Sequence, residues 1–478
     1  MMITRSSKVK AISLKDLFHI YIQAIILLYL IVLHFAYVEL IEPKWNYAGY
    51  VYTNPELYEL FIAWSLAILP SFFLKKLLDR PSIVVYWILY FSTIIPSIVI
   101  PIYVSGNTLN SILLISIPTS IAFSLVGISS SWKKFKFNVV KIEKDVFFIS
   151  LILIYLAFFM YIYLVFGFKI DVVSFLSQEV YEKRSSAKEL TESAGGLLGY
   201  VLSWQGHIIN PTLIAFGLFK RKAPLVFLGI IGQVHIYSID GSKNTFFSIF
   251  LLFGLYLLLN KSKNYSAKTI AFTFFIAVLL VSFIDYTFKD FEGALTTLFT
   301  RRVVVTPGLI SFQFYDFFSV NPKANFGYSF LRYFVNYPYD RPPAQLIGLV
   351  FYGESTNANA NLWADAYANF GYLGVFLFTF ILMFVLWVYD NISSDLPLLF
   401  STLCITVPAF SLSDGALFTG LLTNGILLVG ILVYIFPRSV FDLKTNHEKL
   451  NSTSNLGAVR SRDRHKSEPK KAGRFRWP

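Results

Sequence analysis

Charged residues and cysteines are scarce in this chain. Only 14% of its 478 residues are charged and a single one is cysteine, whereas 55% are hydrophobic. Soluble domains carry roughly 25% charged residues, so about half of the ionic surface that such a domain needs is missing. This shortage excludes a soluble secreted enzyme, a nucleic-acid-binding protein and a disordered chain. The lone Cys404 also excludes an intrachain disulfide and a thiol-rich metal site.

Long apolar blocks take the place of the missing charge. Many approach the roughly 20 residues that cross a bilayer core, and the mean hydropathy is +0.60. We therefore predict an all-α polytopic integral membrane protein, with a transmembrane domain over residues 1–443. Residues 444–478 are predicted to be a disordered, basic cytoplasmic tail, of which 460–478 also fits a cloning remnant. About twelve spans are predicted, at 18–41, 59–74, 82–103, 110–130, 145–167, 196–218, 224–239, 245–259, 269–288, 366–389, 396–412 and 420–437.

Basic residues are distributed asymmetrically around these spans. An even number of spans puts both termini on one side, and the basic N-terminal segment, read as an uncleaved end, makes that side cytoplasmic. Of the 41 Lys and Arg residues, 29 then lie in cytoplasmic segments. This excess explains the net charge of +13 without a polyanionic partner.

Two predicted outer loops, 168–195 and 289–365, are much longer than the others. Long polar segments of a compact protein commonly carry binding and catalytic residues, and we expect the second loop to form short interfacial helices. The loops hold five arginines on the side where the positive-inside rule least favours them. Arginine binds phosphate through bidentate hydrogen bonds; salt bridges with acidic residues of the same loops are the alternative. The five are Arg184, Arg301, Arg302, Arg332 and Arg341.

Polar residues also cluster where the second loop enters the tenth predicted span. Residues 357–374 read NANANLWADAYANFGYLG. Such side chains at the mouth of a span can contact a substrate, and one or two of them also serve as helix N-caps. Gly371 and Gly374, three residues apart, permit the close approach of another helix. The candidate substrate-binding residues are Asn357, Asn359 and Asn361, and two carboxylates, Glu354 and Asp365, lie in the same region.

A further set of polar residues lies within predicted spans. They either line a head-group cavity or form hydrogen bonds between helices. Lys243, in the turn after the seventh span, adds a cation at the outer surface. The outer loops contain no Asp-x-Asp pair and no histidine, so we expect no metal site. The polar residues within spans are Gln205, His207, Asn210, Gln233 and His235.

The block at 357–374 resembles the end of the catalytic loop in Wzy-type O-antigen and oligosaccharide repeat-unit polymerases. Arg301-Arg302 followed by Thr306-Pro-Gly, and the layout of twelve spans with two long loops, support the resemblance. Arg184, eleven positions before Gly195, matches the arginine–glycine spacing of that family, although Gly353 is one residue too far from Arg341 to repeat it. The related O-antigen ligases have a histidine where this chain has Ala360, which argues against ligase chemistry.

The resemblance implies a GT-C-like membrane glycosyltransferase in the bacterial inner membrane, with its active site facing the periplasm. It would polymerise undecaprenyl-diphosphate-linked repeat units by inverting transfer, with no cofactor or metal. Partners would be these glycans, the bilayer and a polysaccharide chain-length regulator. Arg301 and Arg302 would stabilise the leaving diphosphate. One of four carboxylates, Glu354, Asp365, Asp340 or Asp316, would accept the acceptor's proton, and Glu354 and Asp365 are well placed for this beside the tenth span. Substrate would contact Arg184, Arg332, Arg341, Asn357, Asn359, Asn361 and Lys243.

Two other functions fit a polytopic membrane protein of this kind. A lipid-linked oligosaccharide flippase or transporter can also have twelve spans, but transporters concentrate ionisable groups within spans, and here they lie mainly in loops. Another polyprenyl-phosphate-dependent glycosyltransferase is expected to carry a pair of carboxylates in its first outer loop. Residues 42–59 contain three glutamates but no adjacent acidic pair.

Overall fold

A computed structural model describes residues 14–170, 187, 189–191, 196–260, 266–288, 293–353 and 356–441. These residues form helices joined by short loops, and the described part contains one isolated β-bridge and no strand. Fourteen apolar helices make up the bundle. They are α1 (Leu14–Ala36, continued by shorter turns to Ala48), α2 (Leu57–Phe73), α3 (Pro81–Val104), α4 (Thr108–Ser129), α5 (Lys144–Phe166), α6 (197–220), α7 (Ala223–Asp240), α8 (Lys243–Asn260), α9 (Ala267–Thr287), α10 (Ala294–Val320), α11 (Pro343–Tyr352), α12 (Leu362–Ile392), α13 (Leu398–Ser413) and α14 (Thr419–Ile435).

Nine helices within the described residues are long and apolar enough to cross a membrane, which confirms a multi-pass membrane protein. Each predicted span coincides with a helix of the bundle, and α2, α13 and α14 are shorter than the nine. Helix α3 lies at the centre, and every residue of its apolar window is buried. Helix α5 is at the periphery, where only 17% of the corresponding window is buried.

Wide π-helical turns recur inside these helices, and five of them end two residues before a proline. Proline has no N–H, and its ring crowds the carbonyl group four residues earlier. The turn widens in response, so that an N–H bonds five residues back, as Asn210 does to the carbonyl oxygen of Gln205. These five prolines therefore act by widening the turn that precedes each of them. The five π turns are Tyr37–Ile41, Tyr90–Ile94, Ile112–Ser116, Gln205–Ile209 and Thr297–Val305, followed by Pro43, Pro96, Pro118, Pro211 and Pro307.

The starts of α3 and α9 lie at the same end of the bundle. The backbone N–H of Ala267 bonds to the carbonyl oxygen of Lys76, five residues before α3 begins at Pro81. Helices α3 and α9 therefore both finish at the opposite end, which we call the cavity end. Helix α12 finishes at the end opposite the cavity end. Near its last turn, Asp390 accepts hydrogen bonds from the backbone and side chain of Ser82, which lies at the start of α3.

Helix α10 corrects the prediction that residues 289–365 form only short interfacial helices. It is a 27-residue apolar helix inside the predicted loop. Near its start, the backbone N–H of Thr296 bonds to Asp285, which is two residues from the end of α9. Just beyond its end, the backbone N–H of Ala324 bonds to Ala368. Helix α10 therefore begins beside the end of α9, and the segment that follows it pairs with the first part of α12.

Helix α12 also folds back on itself, at the glycines of the 357–374 block. Phe370 and Gly371 have non-helical backbone angles, and Gly371 has φ +60° and ψ −144°, a conformation open mainly to glycine. The indole N–H of Trp363 consequently bonds to Thr379, sixteen residues along the chain. Gly374 permits close approach as expected, but its neighbour is the carbonyl of Ala366 in the same helix rather than a second helix. Residues 362–369 therefore form a buried half-helix antiparallel to the rest of α12.

Candidate functional site

A polar chamber of about 330 Å³ lies at the cavity end. Its wall combines residues that are far apart in sequence, from α6, the α7–α8 turn, the loop before α12 and the segment after α13. Two carboxylates, one histidine and three asparagines contribute side chains that can donate or accept hydrogen bonds from a sugar. These polar residues are His207, Asn244, Asn359, Asp365, Asp414 and Asn424.

The asparagines of the 357–374 block do not share one role. Asn361 is fully buried, and its Oδ1 caps α12 by accepting hydrogen bonds from the backbone N–H groups of Trp363 and Ala364. Its Nδ2 donates to Ser311 at 2.7 Å, which fixes the start of α12 against α10. Asn359 is exposed and lines the chamber, whereas Asn357 is exposed and is not part of the chamber wall.

Asp365 is almost completely buried at the chamber wall, and both of its oxygens already accept hydrogen bonds. Oδ1 accepts from the hydroxyl of Tyr328 at 2.8 Å and from Nδ2 of Asn369 at 3.1 Å. Oδ2 accepts from the backbone N–H of Leu417 at 3.2 Å. The carboxylate therefore joins α12 to the 321–329 loop and to the segment before α14. A structural function accounts for all three contacts.

Asp414 is a carboxylate that the sequence analysis missed. It is half-buried, lines the chamber and accepts a hydrogen bond from Nδ2 of Asn244 at 2.5 Å. One weak signal for Asp414 is present in the sequence: the segment Ser411-Leu-Ser-Asp-Gly415 ends the eleventh predicted span on its outer side. Only the fold shows that this end lies beside α8 and α6.

Two of the predicted arginines, Arg301 and Arg302, lie next to each other on α10. The Arg301 guanidinium is buried, with its carbon 3.7 Å from the centroid of the Trp45 ring, a close cation–π contact. Its Nη1 donates to the hydroxyl of Tyr50 at 3.5 Å. Arg302 is exposed. Burial raises the pKa of Tyr352 to about 12, while a hydrogen bond with Gln313 and the nearby Arg302 and Arg301 oppose that rise.

The other predicted cations occupy separate positions. Arg341 forms a salt bridge to Asp340 at 3.1 Å, and the hydrogen bond from Arg341 lowers the pKa of that carboxyl group. Arg332 is exposed and donates to the hydroxyl of Tyr333 at 2.7 Å. Lys243 is half-buried and begins α8, one residue before Asn244. None of the described arginines lines the chamber, and Arg184 and Glu354 lie outside the described residues, so their assigned roles stay predictions.

An apolar groove of about 460 Å³ adjoins the chamber. It runs along α8 from Asn244 to Leu258, a distance of about 21 Å at 1.5 Å per residue. Helices α8 and α9 form its sides, and they pack mainly on other helices, α8 on α13 and α9 on α1. The groove therefore opens between two helices of the membrane-spanning bundle. Its other walls come from α10, through Leu298, Phe299 and Val303, and from α13.

The polar residues within the predicted spans were expected either to line a head-group cavity or to form hydrogen bonds between helices, and the structure contains examples of both. Gln205, Asn210 and Gln233 are buried and form a chain of hydrogen bonds, from Gln205 Nε2 to Asn210 Oδ1 at 3.0 Å and from Asn210 Nδ2 to Gln233 Oε1 at 3.2 Å. This chain links α6 to α7. His235 is also buried, and its Nδ1 lies 2.8 Å from the carbonyl oxygen of Lys169. His207 alone among them lines both the chamber and the groove.

No group of three or more His, Cys, Asp and Glu side chains with the arrangement of a metal site occurs among the described residues. The expected independence from metal stays a prediction. Comparison with protein-family models, with curated proteins and with solved structures gives no match to this chain.

Proposed function

We propose that this protein is a glycosyltransferase that polymerises undecaprenyl-diphosphate-linked oligosaccharide repeat units into O-antigen or a related surface polysaccharide, on the periplasmic face of the inner membrane. One observation supports this most, namely the apolar groove that continues into a polar chamber. A polyprenyl tail needs an apolar surface that it can reach from the bilayer. Its glycan needs a polar space with hydrogen-bonding side chains. The two cavities meet these requirements side by side.

The proposed reaction is a direct displacement at the anomeric carbon of the donor glycan. The acceptor hydroxyl oxygen forms a bond to that carbon, while the bond between the carbon and the diphosphate oxygen breaks and its electron pair leaves with undecaprenyl diphosphate. The acceptor's proton passes to a carboxylate. Asp414 suits this step better than Asp365, because it lines the chamber and is half-buried, whereas Asp365 is almost completely buried and accepts three hydrogen bonds.

The test compares carrier-linked glycans in cells with and without this protein. Cells that lack it should accumulate undecaprenyl diphosphate bearing one repeat unit and should lack long polymer. The purified full chain, supplied with carrier-linked repeat units in the presence of a chelator, should extend them. Normal polymer in the deletion strain contradicts the proposal, and a strict requirement for added magnesium or manganese contradicts its metal-independent form.

A flippase for the same lipid-linked glycan is the second candidate. The half-helix at residues 362–369 favours it, because discontinuous helices commonly build the binding sites of transporters. A flippase and a polymerase differ in the location of the accumulated intermediate. Loss of a flippase leaves single repeat units on the cytoplasmic face, whereas loss of a polymerase leaves them on the periplasmic face, where an added glycosidase can reach them in spheroplasts.

A further inference from the structure

The boundary between the groove and the chamber is formed by three residues that line both cavities. They are His207 on α6, Asn244 on α8 and Ser411 at the end of α13. In a lipid-linked glycan the diphosphate connects the apolar tail to the first sugar. A tail in the groove and a glycan in the chamber therefore place the diphosphate at this boundary.

We infer that the diphosphate of the lipid-linked substrate binds at this boundary and that His207 is its principal cationic contact. The inference rests on the proposed function, and it assigns the diphosphate to a side chain inside the bundle instead of to the loop arginines. The two phosphates are anionic, so their recognition requires hydrogen-bond donors and preferably a positive charge.

The orientation of the His207 ring fits this role. Its Nδ1 lies 2.9 Å from the carbonyl oxygen of Ser203 and 3.2 Å from the Ser203 hydroxyl. A bond to the carbonyl requires Nδ1 to carry the proton, which leaves Nε2 of this cavity-lining residue as the nitrogen that can take up a second proton. When Nε2 binds a proton it becomes a charged donor toward a phosphate oxygen. The ring is held by its own helix and can accept this role without any loop movement.

The backbone around His207 departs from a regular α-helix because a proline follows in the sequence. Pro211 is four residues after His207 and cannot donate to its carbonyl group, and the turn Gln205–Ile209 is π-helical. Such turns are frequent at functional sites. Helix α8 begins at Lys243, which puts a second cation within one residue of Asn244.

The described arginines are committed to other contacts. The Arg301 guanidinium stacks on Trp45 and lies near the Tyr50 ring, and Arg341 is bonded to the adjacent Asp340. Arg332 donates to the neighbouring Tyr333. None of these three lines the groove or the chamber, whereas His207 lines both.

The experiment measures binding of undecaprenyl diphosphate and of undecaprenol to the purified full chain in nanodiscs. Since a hydrogen bond to a charged group contributes about 1.5–3 kcal/mol, His207→Ala should weaken binding of the diphosphate about tenfold or more. Binding of undecaprenol should change little. His34→Ala is the matched control, because His34 also lies within a helix and bonds to the Tyr103 hydroxyl, away from both cavities. Asn244→Ala, at an exposed position, gives a second variant that does not depend on folding of α6.

Equal binding of the diphosphate by the wild type and His207→Ala overturns the inference, as does an equal loss of both ligands, which would indicate a structural role. The proposed function is judged separately. If the deletion strain makes normal polymer while His207→Ala loses its preference for the diphosphate, the function fails and the site stands. If the deletion strain lacks polymer while His207→Ala binds normally, the site fails and the function stands.

Discussion

Two carboxylates border the chamber, and their contacts distinguish their roles. Asp365 is buried and has three hydrogen-bond donors from separate segments, so a change there affects the fold. Asp414 is half-buried, with Asn244 on one oxygen. The sequence pointed to Asp365 because it lies within a polar block. The sequence could not show that Asp365 accepts three hydrogen bonds, since two of the donors, Tyr328 and Leu417, are distant along the chain.

Asp414→Asn should lower polymerisation about 10²–10⁴-fold, the usual contribution of a positioned acid or base, while the protein accumulates and melts normally. The same change at Asp365 should lower the melting temperature, because the amide must present N–H groups to buried donors, at a cost of about 1–3 kcal/mol for each group left unsatisfied. Turnover and thermal melting of the two purified variants check this. A fully active Asp414→Asn variant rules out its proposed role as the base.

Arg301 is expected to contribute through its stack on Trp45. A double-mutant cycle with Arg301→Lys and Trp45→Leu should give a coupling energy of about 1–2 kcal/mol, since lysine keeps the charge but loses the planar contact. Melting of the two single variants and the double variant provides the measurement. Arg332→Lys is the control, because this exposed side chain should contribute little. Additive effects of the two changes would show that the ring and the guanidinium act independently.

At the scale of helices, hydropathy predicted the positions of the spans but neither helix α10 nor the fold-back of α12. Each predicted span has a helix in the structure because an apolar block must bury its backbone polar groups in hydrogen bonds. Helix α10 was not predicted as a span because Arg301 and Arg302 interrupt its apolar pattern. The burial of Arg301 against Trp45 depends on tertiary contacts, which hydropathy averaged along the chain does not include.

The fold-back of α12 depends on one backbone conformation. Gly371→Ala should destabilise the protein by about 1–3 kcal/mol, since a side chain is disfavoured at φ +60° and ψ −144°. Loss of the turn would also shift residues 362–369, so polymerisation should fall with stability. Gly106→Ala is the matched control, because a Cβ there meets no atom within 4 Å. Thermal melting of both variants is the measurement. Equal melting temperatures would mean that the turn is not required.

At the scale of the whole molecule, the candidate site joins segments that no local pattern connects. His207, Asn244, Asp365 and Asp414 come from four different helices or their ends. The sequence predicted the part that is contiguous, the stretch before and within α12. The remaining contributors became apparent only when the bundle brought α6, α8 and α13 together, because isolated polar residues in or near apolar spans have several equally simple structural explanations.

Gly254 offers a test of the groove that leaves the chemistry untouched. It lies inside α8, lines the groove, and a Cβ added there meets no atom within 4 Å. Gly254→Trp should fill part of the groove without strain in the bundle, and replacing a helical glycine favours the helix. Displacing even two buried methylene groups of a lipid tail, at about 0.8 kcal/mol each, weakens binding about tenfold.

We therefore expect the Gly254→Trp variant to melt at or above the wild-type temperature, to bind undecaprenol about tenfold less tightly, and to produce correspondingly less polymer at low substrate concentration. Gly254→Ala is the control, since a methyl group leaves most of the groove open and should leave binding nearly unchanged. Polymer formation that recovers at high substrate concentration would show that the defect is in binding the tail. Wild-type binding of undecaprenol by the tryptophan variant would show that the tail lies elsewhere. The groove and the chamber would then no longer be evidence for a lipid-linked substrate.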